Sequence, residues 1–349
     1  MTRPAAPTWT RVYLSLMLGL SLALAVSGTV LAKTTKPDAL PHPVLMNPPP
    51  EAETLPSLTY ARVLTGNVPI YSQPIHASQG LSPTRTLDPG YVWVTLADSN
   101  PIRFLDQAWY AINADEFVQA DYLEIYQPAT FQGMAITVPK RFAWMIFDAW
   151  SAAVPGELPG DNTILFKRYD QVTIYETERV EDRDWYRVGP DQWLEQGMVG
   201  IVQPKPRPKG IGRHEKWIEV DLYEQTLAAY QGDRMVYATL VSSGLPWWQT
   251  ETGLFQIWIK VRQAKMSGRA GYPDYYFLED VPWTMYFNGE FALHGAYWHD
   301  RFGIQHSHGC VNLPPQDARW LFEWSTPSGQ TNWIPTTEEK PGTWVWVHE

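Results

Sequence analysis

Apolar and polar residues change period several times along the chain. Residues 1–32 hold one apolar run, from Val12-Tyr13-Leu14 to Val30-Leu31-Ala32, with Arg3 and Arg11 ahead of it and no acid. That pattern predicts a secretory signal, with Val30 and Ala32 as the small residues before Lys33, or else an uncleaved membrane anchor. Residues 33–56 lose the periodicity and include Pro48-Pro49-Pro50, which predicts an extended spacer. From residue 57 short β-prone runs follow one another, among them Val92-Trp93-Val94 and Val172-Thr173-Ile174. Beyond the proline-rich 203–208, Trp217-Ile218-Glu219-Val220-Asp221-Leu222 alternates its faces, as strands do, and Thr226 to Tyr230 can pair with it across a turn. Residues 234–241 and 253–259 continue the series, and 343–347 close it. One helix is predicted after Pro314-Pro315, where Ala318, Leu321, Phe322 and Ser325 fall on one face.

An internal repeat underlies the middle of the chain. A shift of 76 residues lays Trp109-Tyr110-Ala111-Ile112 on Trp185-Tyr186-Arg187-Val188, Asp115 on Asp191, Phe117 on Trp193 and Val118 on Leu194. It also lays Val68-Pro69-Ile70-Tyr71 on Trp144-Met145-Ile146-Phe147, which predicts duplicated modules. Each resembles a bacterial SH3-like cell-wall module, a small barrel that binds or positions more often than it catalyses. Trp109, Trp185 and Trp193 can stack on sugar rings or fill cores, and their repeated strand positions favour the core. The expected organisation is mainly β: a leader (1–32), a proline-rich linker (33–56), SH3-like modules at 57–128 and 129–203, a linker (204–213), and a β-sandwich with a short helix (214–349).

Composition narrows the function. With 44% hydrophobic and 18% charged residues the chain has the make-up of a folded protein, and its 30 prolines and 18 tryptophans point to turns and β-rich cores. Without the leader it holds 25 basic against 37 acidic residues, a formal charge of −12, which disfavours nucleic acid as a partner. An exported, wall-facing or periplasmic protein fits this balance, with a possible tether through the leader.

Cys310 is the only cysteine, so no intrachain disulfide exists. A lone thiol is an inert core residue, a metal ligand or a nucleophile. Its context, Ser307-His308-Gly309-Cys310-Val311-Asn312 with His294-Gly295 upstream, favours the nucleophile. Gly309 allows backbone conformations that a β-carbon forbids, and a neighbouring imidazole can hold sulfur as thiolate.

These motifs, with Ile218-Glu219-Val220-Asp221-Leu222, Gln225, Val241-Ser242-Ser243-Gly244 and Thr250-Glu251-Thr252-Gly253-Leu254-Phe255, resemble the L,D-transpeptidase catalytic-domain family of peptidoglycan-crosslinking enzymes over residues 214–349. Glu251 departs from the proline usual there. The resemblance implies that Cys310 is the nucleophile, that His294 is the general base and acid, and that the Gly295 carbonyl orients its ring. Ser307, His308 and Gly309 would shape the site and its oxyanion hole, while Asn312 and Tyr297 are candidate substrate contacts. The implied reaction acylates Cys310 with a tetrapeptide stem, releases D-alanine and passes the acyl group to the side-chain amine of a second stem, giving a 3→3 crosslink without a cofactor or metal. The aromatic runs 272–277 and 283–287 are lid or packing candidates.

Rival readings keep parts of this pattern. His294, His299, His306, His308 and Cys310 could together bind zinc, although singly His299 and His306 read as exposed loop residues. A wall-binding module with a decayed site keeps the fold alone. The same acyl-enzyme delivered to water gives an L,D-carboxypeptidase, and delivered to a protein amine it attaches that protein to the wall. Papain-like wall hydrolases generally place cysteine before histidine, the reverse of the order here.

Overall fold

The computed structural model describes residues 58–349 apart from 139, 161, 162 and 270. The expected leader and proline-rich linker lie outside the described residues.

Alternating residues in 216–240 form three consecutive antiparallel strands, Lys216–Asp221, Thr226–Gln231 and Arg234–Leu240. The C-terminal strand Trp344–His348 joins Lys216–Asp221 in parallel and pairs on its other side with Gly253–Gln256. The run read as 253–259 is therefore split. Gly253–Gln256 stays in this sheet, and Ile259–Gly268 starts in the second one. Facing the first sheet, Tyr276–Asn288, Phe291–Gly295 and Val311–Leu313 carry the candidate motifs. Ile218, Val220, Leu227, Met285, Leu293, Val311 and Val345 are buried in one core with the helix residues Leu321 and Phe322. Burying a side chain of this size contributes roughly 1.5–3 kcal/mol, so one such face fixes the register of every strand that contributes to it.

The helix, Pro315–Trp324, follows Pro314 as the sequence predicts, with Ala318, Leu321 and Phe322 inward. Its C-terminal carbonyls receive two lysine ammonium groups. Lys216 Nζ donates to Trp324 O at 2.6 Å and the buried Lys260 Nζ to Ser325 O at 2.9 Å, the charge that a helix C-terminus favours.

The N-terminal parts are not beads ahead of this sandwich. Tyr276–Asn288 has 13 residues, roughly 40 Å at strand rise, enough to serve two neighbours in succession. Its first residues pair in parallel with Tyr91–Leu96 (Tyr276 opposite Tyr91, Leu278 opposite Trp93), and its later ones pair antiparallel with Phe291–Gly295. Tyr91–Leu96 continues to Thr59–Val63 and Leu123–Tyr126, so one eight-stranded sheet runs from residues 57–128 to the strands flanking Cys310.

The boundary read at residue 129 moves as well. Met134–Ala135 adds an edge strand to Arg234–Leu240, and Phe131 and Ile136 are buried in a core shared with Trp217, Tyr230 and Tyr297. Residues 129–136 thus pack as part of the C-terminal sheet. The 76-residue offset does relate the closing elements: Gln107–Asn113 to Arg183–Gly189, Glu116–Gln119 to Gln192–Glu195, and Leu123–Tyr126 to Val199–Val202. It fails at the entering strand. Phe142–Met145 pairs with Val199–Val202 as Thr59–Val63 pairs with Leu123–Tyr126, which matches Tyr60 to Phe142, an offset of 82. The second unit is six residues shorter between these points, and the likeness of Val68 to Tyr71 with Trp144 to Phe147 is one of composition only. Trp109 and Trp193 are buried and Trp185 half-buried, which leaves the first two as core fillers.

Candidate active site

Phe291–Gly295 and Val311–Leu313 are parallel neighbours, with Leu293 opposite Val311, His294 opposite Asn312 and Gly295 opposite Leu313. Parallel strands require a crossover, and residues 296–310 supply it. Opposed residues share a face and strand side chains alternate, so continuing the alternation brings Cys310 to the face of Asn312 and His294.

His294 is buried, and its Nδ1 donates to Gly295 O at 3.3 Å, which leaves Nε2 as the acceptor. Gly295 has no room for a side chain, since a Cβ would lie 2.9 Å from Pro282 Cγ and 3.2 Å from Pro315 Cα. Gly295→Ala should therefore displace the carbonyl that aims the imidazole and lower kcat by roughly ten- to a hundredfold with KM little changed. Steady-state kinetics on a variant of unchanged circular dichroism would test this, and an unaltered kcat would refute it.

Hydroxyls buckle the nucleophile loop. Ser307 Oγ accepts Gly309 N–H at 3.0 Å and donates to Cys310 O. Thr250 Oγ1 accepts Gly244 N–H at 3.0 Å and donates to Gly309 O at 2.8 Å, while Leu245 N–H donates to Ser307 O at 2.9 Å. Gln225, buried, exchanges two bonds with Ser243, whose carbonyl takes the N–H groups of His306 and Ser307. These bonds account for the upstream motifs, which hold residues 306–310 in place. Glu251 points outward to Asn288 and leaves the Thr250 buckle intact. Gly309 has φ +121°, and a Cβ there would meet the Phe291 ring at 2.4 Å, so only glycine fits.

Cys310 is partly exposed, with Sγ 3.7 Å from Glu290 O. Burial pushes its thiol up to about 11, against a lowering backbone hydrogen bond from Ala292. Burial also takes His294 down to about 4, against the raising bond to Gly295. Both shifts disfavour the charged form, the opposite of the thiolate expected from sequence, because each group loses hydration on burial.

Other expected site residues are placed differently. Tyr297 is fully buried, stacked on Tyr60 at 3.6 Å with its hydroxyl donating to Glu279 O at 2.6 Å, so it anchors the shared core and does not reach substrate. His299 is no exposed loop residue. It is buried, takes Arg301 N–H on Nδ1 at 3.1 Å, and meets the Asn312 amide through Nε2 at 2.9 Å. With Nδ1 accepting, Nε2 carries the ring proton and donates to the Asn312 amide oxygen, which holds that side chain in place. His308 is exposed between the rings of Trp248 (3.9 Å) and Tyr276 (5.1 Å). His306 packs its ring 4.2 Å from His299. Met285 and Phe287 in the 283–287 run are core residues, whereas Tyr272 lies exposed near the hairpin tip. Among the described residues, the group with metal-ligand spacing is Glu219, Asp221 and His348, and it is already engaged by Tyr230, Lys205 and backbone amides.

Residues 215–347 match the family model YkuD, L,D-transpeptidase catalytic domain. YciB of Bacillus subtilis (strain 168), whose name carries a provisional L,D-transpeptidase assignment, is 27% identical over 129 residues, 32% of this chain and 62% of that protein. A mutant L,D-transpeptidase from Enterococcus faecium is 26% identical over 38% of this chain and 50% of its own, with a TM-score of 0.31. The L,D-transpeptidase from Mycobacterium smegmatis is 15% identical over 65% of this chain and 89% of its own, with a TM-score of 0.33. The chain spans less than two thirds of the length of the first two. The family match thus lies in the C-terminal portion of the chain, which is similar over these residues to the L,D-transpeptidase catalytic domain.

Proposed function

We propose that this protein is an exported, wall-facing cysteine transpeptidase that forms 3→3 crosslinks between peptidoglycan stem peptides. The observation that carries the reading is the parallel pairing of Phe291–Gly295 with Val311–Leu313, which puts Cys310 one residue before the strand beside His294, with the imidazole bonded to Gly295 O and the thiol partly open to solvent. In this reading Nε2 of His294 takes the thiol proton as Sγ attacks the carbonyl before the terminal D-alanine. The same nitrogen returns the proton to the departing amine. Gly309 N–H is directed at Ser307, so the donors left for the oxyanion are the main-chain N–H groups of His308 and Cys310, a narrower set than the sequence suggested. An incoming side-chain amine then resolves the thioester, with His294 as base. The repeated units, the first within 58–128 and the second after residue 136, would hold the domain against the wall as SH3-like modules.

Incubation with disaccharide-tetrapeptide, followed by mass spectrometry, tests the reading. A crosslinked dimer and free D-alanine, both absent with Cys310→Ala, are expected. Tripeptide without dimer would make water the acceptor and the enzyme an L,D-carboxypeptidase, and no product from folded protein would refute the proposal.

A further inference from the structure

Residues 245–249, Leu-Pro-Trp-Trp-Gln, form a turn fastened to the nucleophile loop. Trp248 N–H closes it on Leu245 O at 2.8 Å, Leu245 N–H holds Ser307 O, and Thr250 clamps its end to Gly309 O. The backbone that carries its two indoles is therefore fixed relative to the nucleophile loop. Trp248 lies with its ring 3.9 Å from that of His308, His308 lies 5.1 Å from Tyr276, and Trp247 stands edge-on to Trp248 at 6.0 Å. The outermost ring, Trp247, is 68% exposed. A single exposed indole needs no explanation, but this one ends a continuous series of rings that starts two residues from the nucleophile.

We infer that Trp247 and Trp248 form a saccharide subsite, a platform for a pyranose ring of the glycan that carries the donor stem. This rests on the transpeptidase reading above and deepens it. A stem ending in a diamino acid and D-alanine presents amides, carboxylates and one ammonium, and of these only the ammonium suits an indole face. The flat C–H face of a pyranose is the larger apolar match in the same substrate, and a sugar-free stem keeps the ammonium, so the comparison below separates the two. Exposed Gln249 beside the rings can donate to and accept from sugar hydroxyls. The turn thus adds a glycan contact to a site whose thiol reads only the peptide.

The test compares kcat/KM for D-alanine release from disaccharide-tetrapeptide and from the sugar-free tetrapeptide. The full-length protein should favour the glycan-bearing donor roughly fivefold to tenfold, mainly in KM. Trp247→Ala, at a position with little buried surface to lose, should bring the ratio near one, and Trp247→Phe should keep most of it. Equal values for the two donors with the wild-type chain, or a ratio that Trp247→Ala leaves unmoved, would overturn the subsite alone. No release from either donor would overturn the transpeptidase reading and the subsite with it.

Discussion

Removal of the His294 imidazole should lower transpeptidation by about 10²–10⁴-fold, the usual worth of a positioned general base, while Cys310 stays intact and the protein folded. The pH dependence says more than the loss. His294 is held down to about 4 and Cys310 up to about 11, both by burial. The active neutral imidazole should then persist well below the ordinary histidine range, and the acidic limb of kcat/KM should fall near pH 4 instead of near 6.5. For the same reason iodoacetamide should alkylate the resting thiol slowly at pH 7, with a rate that climbs towards pH 11. A preformed thiolate–imidazolium pair would give fast alkylation that is flat above about pH 6, so that profile would sink the neutral-pair account. A neutral resting pair places the proton transfer within the attack itself, once a bound stem has displaced water from around the sulfur.

Much of the chemistry was legible because it is local. A lone cysteine after glycine, an upstream histidine–glycine pair, alternating strands at 216–240 and Pro314-Pro315 ahead of an amphipathic turn each announce themselves within a few residues. What was not legible depends on distant partners. Tyr297 looks like a substrate contact and His299 like an exposed loop residue, yet one is fixed by Tyr60 and the other by Asn312, and no local pattern encodes those contacts. Strand pairing is similarly nonlocal: Tyr276 to Leu278 could have ended a hairpin, and only packing of Tyr297 between Tyr60 and Trp93 shows why Tyr91–Leu96 lies beside it. The misplaced entering strand of the repeat has the same origin, since short apolar runs with a period of two match one another at several offsets. Charge state was also out of reach, because desolvation is a property of the assembled site.

The continuity of that sheet bears on the site. Tyr91 N–H holds Tyr275 O at the end of the hairpin turn, next to Tyr276, which packs against His308. Residues 57–128 therefore brace one wall of the cleft as well as extending the chain. A sandwich expressed from residue 214 onward would lose that brace and the edge strand Met134–Ala135 together.

Asp317→Ala should destabilise the protein by about 3–5 kcal/mol at neutral pH, the scale for breaking a buried charged network by removing one partner. The carboxylate is fully buried in the first turn of the helix and accepts four hydrogen bonds: Gly133 N–H to both oxygens at 3.0 Å, Tyr237 OH at 2.7 Å, and Thr239 Oγ1. Alanine would strand all three donor groups in a dry interior and release residues 129–136 from the sheet they extend. The pH dependence has a definite sign. Burial raises Asp317 to about 6, above the ordinary aspartate value of 3.8, so between these values the folded state binds more protons than the unfolded one. Stability from this group is then greatest below about pH 4 and declines as pH rises through 6. Urea titrations of wild type and variant should show the gap between them narrowing from pH 4 to pH 7. A gap that widens over that range would mean that the three donors outweigh burial and hold Asp317 ionised throughout, and a variant as stable as wild type would mean that the helix and the edge strand do not depend on it.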